Sequence, residues 1–268
     1  MKKVILITGI SSGFGKHTAE LLARRGHTVY GTVRTVPAHK ILVKYLTADL
    51  ADAATLKRAV AEVLLAEGRI DVLVNNAGMH TGGPAETLQP EHARLQIETG
   101  FLGPATLMRE VLPAMRRQGG GTIINISSIG GLVGLPFQAF YSAAKFAVEG
   151  FSEALRMETE RFNIRTVVVN PGDFRTGNTA SRKNCLAPTG PGDPYKQPYE
   201  AAMQVIESDE TGGWHPSKLA ATVALIAELK NPRQRYIVGA FDQKLAVWLR
   251  HALPPRLFSA ILKRHYGI

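Results

Sequence analysis

Apolar and polar positions along the chain alternate between two kinds of segment. Short β-branched runs such as 4–8 (VILIT) and 71–78 (DVLVNNAG) are apolar at successive positions, which is typical of strands buried on both faces. The segment 53–68 instead repeats its apolar residues at helical spacing. The same criteria predict further strands at 27–33, 44–50, 121–128 and 164–172, and further helices at 18–26, about 90–118 and 141–162.

This alternation predicts the architecture. Strands that alternate with helices and are apolar on both faces form a parallel, doubly wound sheet with helices on both faces. With 268 residues, 45% of them hydrophobic, the chain can bury one large core. No repeat, low-complexity tract or linker divides it. We therefore predict a single α/β domain over residues 1–240, followed by a tail at 241–268.

Composition narrows the compartment and the partners. The one cysteine, Cys185, excludes an intramolecular disulfide and favours a reducing compartment. Charged and glycine positions interrupt the opening MKKVILITG far short of a signal or membrane-spanning length, so a cytoplasmic protein is expected. The net charge of +10 suits nucleic acid, an anionic membrane or a phosphorylated ligand. Because the basic residues are spread out and form no recognised reading motif, no nucleic-acid partner is expected.

The stretch ITGISSGFG, residues 7–15, joins the first predicted strand to the first helix. Its glycines allow the backbone to approach a pyrophosphate closely, and the helix start offers free N–H groups and the positive end of the helix dipole. A tight turn without a ligand is the alternative, since the spacing differs from the GxGxxG of the common dinucleotide fingerprint. This stretch alone leaves both interpretations open.

Further segments occur in order after this turn: TADL at 47–50, NNAG at 75–78, SS at 127–128, YSAAK at 141–145 and NPG at 170–172. Together with TGISSGFG they resemble the short-chain dehydrogenase/reductase family, over nearly all of residues 3–240. The resemblance implies a Rossmann-type fold and hydride transfer between a nicotinamide cofactor and a carbonyl or alcohol carbon. It also implies a homo-oligomer, a dimer or tetramer, and no metal site.

Tyr141 and Lys145 carry the chemistry that the resemblance implies. They lie four positions apart, so both side chains share one helix face, and an ammonium near a phenol lowers the pKa of the phenol. The resemblance makes Tyr141 the acid/base for the substrate oxygen and Ser128 the hydroxyl that orients this oxygen. Lys145 would tune the tyrosine and hold the nicotinamide ribose. Taken singly, Tyr141 would more often be a core residue and Lys145 a solvated charge.

The end of the second predicted strand indicates the cofactor. Val33 is followed by Arg34, so no carboxylate is present to accept hydrogen bonds from a ribose, and Arg34 can pair with a 2′-phosphate. We therefore predict NADP(H), with an ordinary surface arginine as the alternative. By resemblance the cofactor-binding residues are Gly9, Ser11, Ser12, Gly13, Phe14, Gly15, Arg34, Asp49, Asn76, Ala77, Gly78, Tyr141, Lys145, Pro171, Gly172 and Thr176.

Gly100 departs from the family pattern. It stands where relatives usually carry an asparagine that helps hold a relay water near the lysine, and glycine inside a helix costs about 1 kcal/mol relative to alanine. One hypothesis is that Gly100 leaves room for an extra water or a bulkier cofactor pose. The other is an impaired enzyme or a non-catalytic NADP(H)-binding regulator. The presence of Ser128, Tyr141 and Lys145 favours an active enzyme.

The segment after NPG is expected to govern specificity for a lipophilic ketone, aldehyde or alcohol. Residues 177–215 are polar and rich in glycine and proline, which is typical of a mobile lid, and Cys185 within it is expected to be passive. Met79 and His80 directly follow NNAG and are candidates to face the substrate cleft. Since a loop histidine is usually solvated, His80 is left out of the chemistry.

Within the tail, residues 244–268 give an apolar and a basic face at helical spacing. Its apolar residues are Trp248, Leu249, Leu253, Leu257, Phe258, Ile261 and Leu262, and its basic ones Arg250, Arg256, Lys263 and Arg264. Two interpretations remain open: peripheral contact with an anionic membrane, or packing on the domain or across a subunit interface.

Overall fold

The computed structural model describes residues 1–38, 42–176, 182 and 192–268. Its strands are β1 (Val4–Thr8), β2 (Thr28–Val33), β3 (Lys44–Thr47), β4 (Val72–Asn75), β5 (Gly121–Ile126), β6 (Ile164–Pro171) and β7 (Arg235–Val238). Within the described residues they form one sheet in the order β3-β2-β1-β4-β5-β6-β7, and every neighbouring pair is parallel. The predicted doubly wound parallel sheet is confirmed.

Helices cover both faces of this sheet. One face is covered by α1 (Gly13–Arg24) and α7 (Pro216–Glu228), the other by α2 (Ala53–Glu67), α4 (Gly103–Arg117) and α5 (Ala139–Thr159). The remaining helices are α3 (Pro90–Ile97), α6 (Lys196–Gly212), α8 (Phe241–Ala252) and α9 (Pro255–Tyr266).

The two halves of the core follow from the alternation of side chains along each strand. Leu6, Leu73 and Ile123 are register neighbours on β1, β4 and β5, and all three pack towards α2 and α4. Ile5 and Val72, one position earlier, pack towards α1 and α7. Because both faces are covered, β1 is buried at every position, which explains the unbroken apolar run in the sequence.

Local signals set the ends of several helices. The Asp52 side chain accepts hydrogen bonds from the backbone N–H groups of Ala54 and Thr55 at the start of α2, and Gly68 ends this helix with φ of 71°. The predicted helix at 90–118 is present as α3 and α4, joined by a π-helical turn, Glu98–Leu102. Helix α7 and strand β7 were not predicted.

The predicted lid at 177–215 is only partly described. Residues 177–181 and 183–191, with Cys185, lie outside the described residues. Most of the described remainder is α6, a regular helix that buries Tyr199, Met203 and Ile206. For the part of the segment that can be compared, a packed helix therefore replaces the expected irregular loop.

The tail forms α8 and α9, which are separated by Leu253 and Pro254. Val247, Phe258 and Tyr266 are buried against the domain, whereas Trp248 and Ile261 are exposed. The single apolar face expected from the sequence is thus divided between a packed side and an exposed side.

None of the helices in the described ranges is both long and apolar enough to cross a membrane.

Candidate active site

A cavity of about 590 Å³ opens at the carboxyl ends of the strands. Strand order reverses between β1 and β4, and in open α/β sheets this reversal creates the crevice in which ligands bind. Every residue predicted for the site except Gly15 lines the cavity: Gly9, Ser11, Ser12, Gly13, Phe14, Arg34, Asp49, Asn76, Ala77, Gly78, Ser128, Tyr141, Lys145, Pro171, Gly172 and Thr176. The fold therefore brings segments that are distant in sequence to one place.

The glycine-rich turn after β1 is held by the segment after β4. Gly9 has φ of 70°, and a Cβ atom added to it would lie 2.7 Å from Cβ of Ala77. Asn76 Nδ2 donates to the carbonyl of Thr8 at 2.8 Å and to that of Gly9 at 3.1 Å. A Cβ on Gly15 would lie 2.1 Å from the Gly9 oxygen, so Gly15 allows α1 to pack beneath the turn instead of facing the cavity.

The start of α1 is suited to a phosphate. Ser12 precedes the helix in an extended conformation, and its side chain makes no capping hydrogen bond. The first turn of α1 contains no acidic residue. Its backbone N–H groups and the positive end of the helix dipole therefore meet the cavity without a competing carboxylate, and a pyrophosphate fits the residues present.

Two residues predicted to bind the cofactor, Arg34 and Asp49, lie near the carboxyl ends of β2 and β3. Val33 is buried, and Arg34 is exposed where it lines the cavity. Asp49, two residues after β3, accepts a hydrogen bond from the backbone N–H of Ala51 at 2.9 Å. The cavity rim thus carries one cation and one carboxylate at this end.

Ser128, Tyr141 and Lys145 meet at the centre of the cavity. Ser128 follows β5, and its Oγ accepts from the Gly130 N–H at 3.0 Å. Tyr141 and Lys145 lie in the first two turns of α5, and Nζ of Lys145 is 5.8 Å from the centre of the Tyr141 ring. Nζ also donates to the Ile126 carbonyl at 2.9 Å.

The electrostatics of this trio differ from the expectation. Burial raises the pKa of Tyr141, and the largest opposing contributions come from its hydrogen bond to Ser128 and from the charge of Arg182, rather than from Lys145. Burial also lowers the pKa of Lys145 to about 8, against the raising effect of Glu149. Tyr141 is therefore held as a neutral phenol, the form that can donate a proton.

The surroundings of Gly100 correct one hypothesis. Gly100 is buried in the π-helical turn, and a Cβ atom there would lie 2.8 Å from Cβ of Ala144 and 3.0 Å from Nε2 of Gln96. The Gln96 side chain in turn accepts from the Thr81 N–H at 2.8 Å and donates to the Met79 carbonyl at 3.2 Å. Gly100 therefore allows two packed side chains to approach and leaves no room for an extra water at its Cβ position.

His80 faces the cavity, as the sequence suggested, but its contact with Tyr141 was not predicted. It is buried, lines the cavity, and stacks on Tyr141 with ring centroids 3.9 Å apart. Its Nε2 contacts Gln138 Oε1 at 2.5 Å, and its Nδ1 accepts from Nη2 of Arg182 at 3.0 Å. Burial, followed by the charge of Arg182, lowers the pKa of His80 to about 3. In the sequence, only the position of His80 shortly after NNAG indicated that it lies near the site.

Carboxylates at one end of the cavity were also missed. Asp173, Asp209 and Glu210 line it together with the apolar side chains of Ile206 and Tyr266. Burial, followed by the charges of Asp209 and Glu210, raises the pKa of Asp173 to about 6. This end of the cavity is both acidic and partly apolar.

The tail contributes to the site. Gln243 of α8 donates to the Asp173 carboxylate, and its Oε1 accepts from the backbone N–H groups of Ala240 at 3.1 Å and Asp173 at 3.4 Å. Tyr266, near the end of α9, lines the cavity. The chain on the two sides of the predicted boundary at 240/241 is therefore packed together at the site.

Comparisons with known proteins agree with this geometry. The family model for short chain dehydrogenase matches residues 3–185. A 3-ketodihydrosphingosine reductase of Bacteroides thetaiotaomicron is 43% identical over 266 residues, covering 99% of this chain and 98% of that protein.

Solved structures similar to this chain also include short-chain dehydrogenases. A short-chain dehydrogenase from Streptomyces avermitilis has a TM-score of 0.79 at 33% identity, over 94% of this chain and 92% of that one. A short chain dehydrogenase from Burkholderia cenocepacia in complex with NADP has a TM-score of 0.75 at 27% identity, with 97% of each chain covered. A short chain dehydrogenase/reductase from Burkholderia phymatum in complex with NAD has 0.78 at 25%, over 94% of this chain and 93% of that one. Together with the ordered motifs and the cavity that they line, these matches show that the chain belongs to the short-chain dehydrogenase/reductase family of oxidoreductases.

Proposed function

We propose that this protein is an NADP(H)-dependent oxidoreductase that transfers a hydride between the nicotinamide and the carbonyl or alcohol carbon of a lipophilic substrate. The observation that carries the proposal is the meeting of Ser128, Tyr141 and Lys145 in the cavity that the glycine-rich turn also lines. NADPH consumption on addition of a long-chain ketone tests the proposal.

The roles of the side chains follow from their positions. When bound, the nicotinamide supplies the hydride. Tyr141, held as a phenol, donates its proton to the substrate oxygen in reduction, and Ser128 orients this oxygen through its hydroxyl. Lys145 is buried and donates to the Ile126 carbonyl. In the proposed mechanism it would bind the cofactor ribose and help return a proton to Tyr141.

Arg34 supports NADP(H) over NAD(H). Because it lines the cavity where β2 ends, it can pair with a 2′-phosphate. Replacing Arg34 by alanine is expected to weaken NADPH binding about tenfold or more and to leave NADH binding nearly unchanged, since a charge-assisted pair contributes about 1.5–3 kcal/mol. Fluorescence titration with both cofactors measures this, with Arg58→Ala on the exposed face of α2 as a matched control. An equal loss for both cofactors would contradict the assignment.

For the substrate we propose a long-chain ketone with an amine near the carbonyl. The name of the Bacteroides relative indicates a keto sphingoid base as the substrate of that protein. The apolar walls formed by Leu135, Ile206 and Tyr266 suit an alkyl chain, and the carboxylate of Asp209 in the same cavity suits an ammonium group.

The exposed side of the tail supports peripheral contact with an anionic membrane. Phe241, Leu245 and Trp248 lie on one face of α8 and are 80%, 39% and 64% exposed. Exposed basic residues of the two tail helices accompany them: Lys244, Arg250, Arg256, Lys263 and Arg264. Apolar side chains accompanied by cations are typical of helices that lie in a lipid interface.

Removing the two aromatic rings tests this contact. Phe241→Ser with Trp248→Ser is expected to reduce co-sedimentation with anionic vesicles at least about tenfold, since each buried aromatic side chain contributes about 1.5–3 kcal/mol. Leu65→Ser, at a 91% exposed position on α2, is the matched control. Truncating the tail is unsuitable because Gln243 and Tyr266 belong to the site. Equal pelleting of parent and double variant would exclude the membrane contact.

A cytoplasmic homo-oligomer completes the proposal. Apolar side chains are exposed on the central helices, among them Leu95 on α3 and Phe146 and Met157 on α5, which are 39%, 44% and 72% exposed. Burying such positions between two copies of the chain would remove them from water, and the tail would remain free for the membrane.

A cofactor-binding regulator without activity is the second candidate, and Gly100 is the feature that favours it. Tight NADPH binding without turnover would identify it.

A further inference from the structure

A buried cluster of His80, Arg182 and Glu210 lies next to Tyr141. The His80 ring stacks on the Tyr141 ring at 3.9 Å between centroids, with 19° between the planes. Nη2 of Arg182 donates to Nδ1 of His80 at 3.0 Å and also to Oε1 of Glu210. Direct contacts therefore run from Glu210 through Arg182 and His80 to Tyr141.

The chemistry of these contacts fixes the state of His80. A guanidinium has only donors, so Nδ1 of His80 must be an unprotonated acceptor. The proton of the neutral ring then lies on Nε2 and is donated to Oε1 of Gln138 at 2.5 Å. Gln138 is the residue from which α5 starts, so the ring is fixed relative to the helix that carries Tyr141. His80 therefore lines the site as an uncharged ring and does not act as a second acid.

Arg182 is an expensive residue to bury. It is 2% exposed, and in the described part of the chain its Nε and Nη1 atoms have no hydrogen-bond partner. Moving a charge out of water costs several kcal/mol unless pairing compensates for it, and the ion pair with Glu210 engages only Nη2 of the guanidinium. Buried charges close to acid/base groups are typical of functional sites, and only the His80 ring separates Arg182 from Tyr141.

We propose that Arg182 and Glu210 are positioning residues that act in opposite directions on the proton of Tyr141, with Arg182 favouring the phenolate and Glu210 the phenol. The inference rests on the proposed role of Tyr141 as the acid/base. It assigns to this ion pair a tuning of proton transfer that the Ser128, Tyr141 and Lys145 trio does not supply by itself. His80 separates the guanidinium from the phenol and holds both in place.

Other groups that face Tyr141 also influence the pKa of its phenol. Ser128 donates to or accepts from its hydroxyl, Lys145 lies along the same helix face, and Asp173 adds negative charge. Arg182 lowers the pKa of Tyr141, and Glu210 and Asp173 raise it. Because Glu210 and Arg182 belong to one ion pair, a purely structural role would make the two substitutions act alike.

The experiment is a titration of the Tyr141 phenol in the full-length protein. Tyrosinate absorbance is followed against pH, and each variant is compared with the same variant carrying Tyr141→Phe, so that the difference reports Tyr141 alone. Arg182→Met is expected to raise the midpoint by about one pH unit, and Glu210→Gln to lower it by a similar amount. Arg182→Lys keeps the charge and should stay near the parent. Arg58→Met, on the exposed face of α2, is the control for loss of a positive charge elsewhere.

Opposite shifts support the inference, and the pH dependence of alcohol oxidation should move with them. Shifts of the same sign, or unchanged midpoints in folded variants, would overturn it. If Arg182→Met fails to fold, the direction of the midpoint shift in Glu210→Gln still tests the inference, with Arg182→Lys as the variant that keeps the charge. The titration does not require turnover, so a parent without reductase activity would contradict the proposed function while the midpoints still test the ion pair.

Discussion

Replacing Tyr141 by phenylalanine is expected to reduce ketone reduction by about 10²–10⁴-fold, the range typical of a lost general acid. The ring remains, so its stacking on His80 at 3.9 Å is retained and the fold should be unaffected. NADPH binding should change little, because the substitution removes one hydroxyl and leaves the glycine-rich turn and Arg34 intact. Initial rates and a fluorescence titration with NADPH measure the two quantities separately.

Tyr236→Phe is the matched control for this prediction. Tyr236 lies on β7 at the far edge of the sheet and accepts from the Arg233 N–H at 3.0 Å, and it does not line the cavity. Removing the Tyr236 hydroxyl should leave turnover unchanged. Turnover of Tyr141→Phe near that of the parent would show that another group supplies the proton.

Introducing asparagine at Gly100 is expected to impair the protein instead of improving it. The new Cβ would lie 2.8 Å from Cβ of Ala144, an atom that cannot rotate away. Overpacking of this kind costs about 1–3 kcal/mol of stability, and the strain acts on α5, which carries Tyr141 and Lys145. Because small displacements of reacting groups are costly, we expect turnover to fall at least about tenfold. Denaturant unfolding and initial rates measure both effects.

A second substitution that relieves the clash distinguishes a packing effect of Gly100→Asn from a chemical one. Ala144→Gly removes the atom that the new Cβ meets, so the double variant with Gly100→Asn should regain part of the lost turnover. Ala144→Gly alone should cost about 1 kcal/mol of stability as a glycine within a helix. A many-fold gain in turnover from Gly100→Asn alone would instead show that the natural chain is impaired at this position.

Features that depend on local sequence could be predicted. The unbroken apolar run of β1 and the glycine turn after it reflect burial on both faces and a close approach of backbone, and both requirements act within a few residues. The pairing of Tyr141 with Lys145 follows from helical spacing alone. The order of the motifs then indicated which strands would end at the same cavity.

Features that depend on long-range packing could not be predicted. His80 and Arg182 are 102 positions apart, and nothing in either segment indicates that a guanidinium would hold this ring against Tyr141. Gly100 was read as free space because the approach of Ala144 is set by how α5 packs. Helical spacing in the tail identified the apolar residues but not that Phe258 would be buried and Trp248 exposed.

The most direct measurement is the oxidation of NADPH by the purified protein in the presence of a long-chain ketone that carries an amine next to the carbonyl. NADH, a neutral ketone of equal chain length and the Tyr141→Phe variant are assayed in parallel. We predict turnover with NADPH that exceeds turnover with NADH, favours the amino ketone and disappears in Tyr141→Phe. Tight NADPH binding without turnover of any ketone or aldehyde would contradict the reductase and identify a regulator that only binds the cofactor.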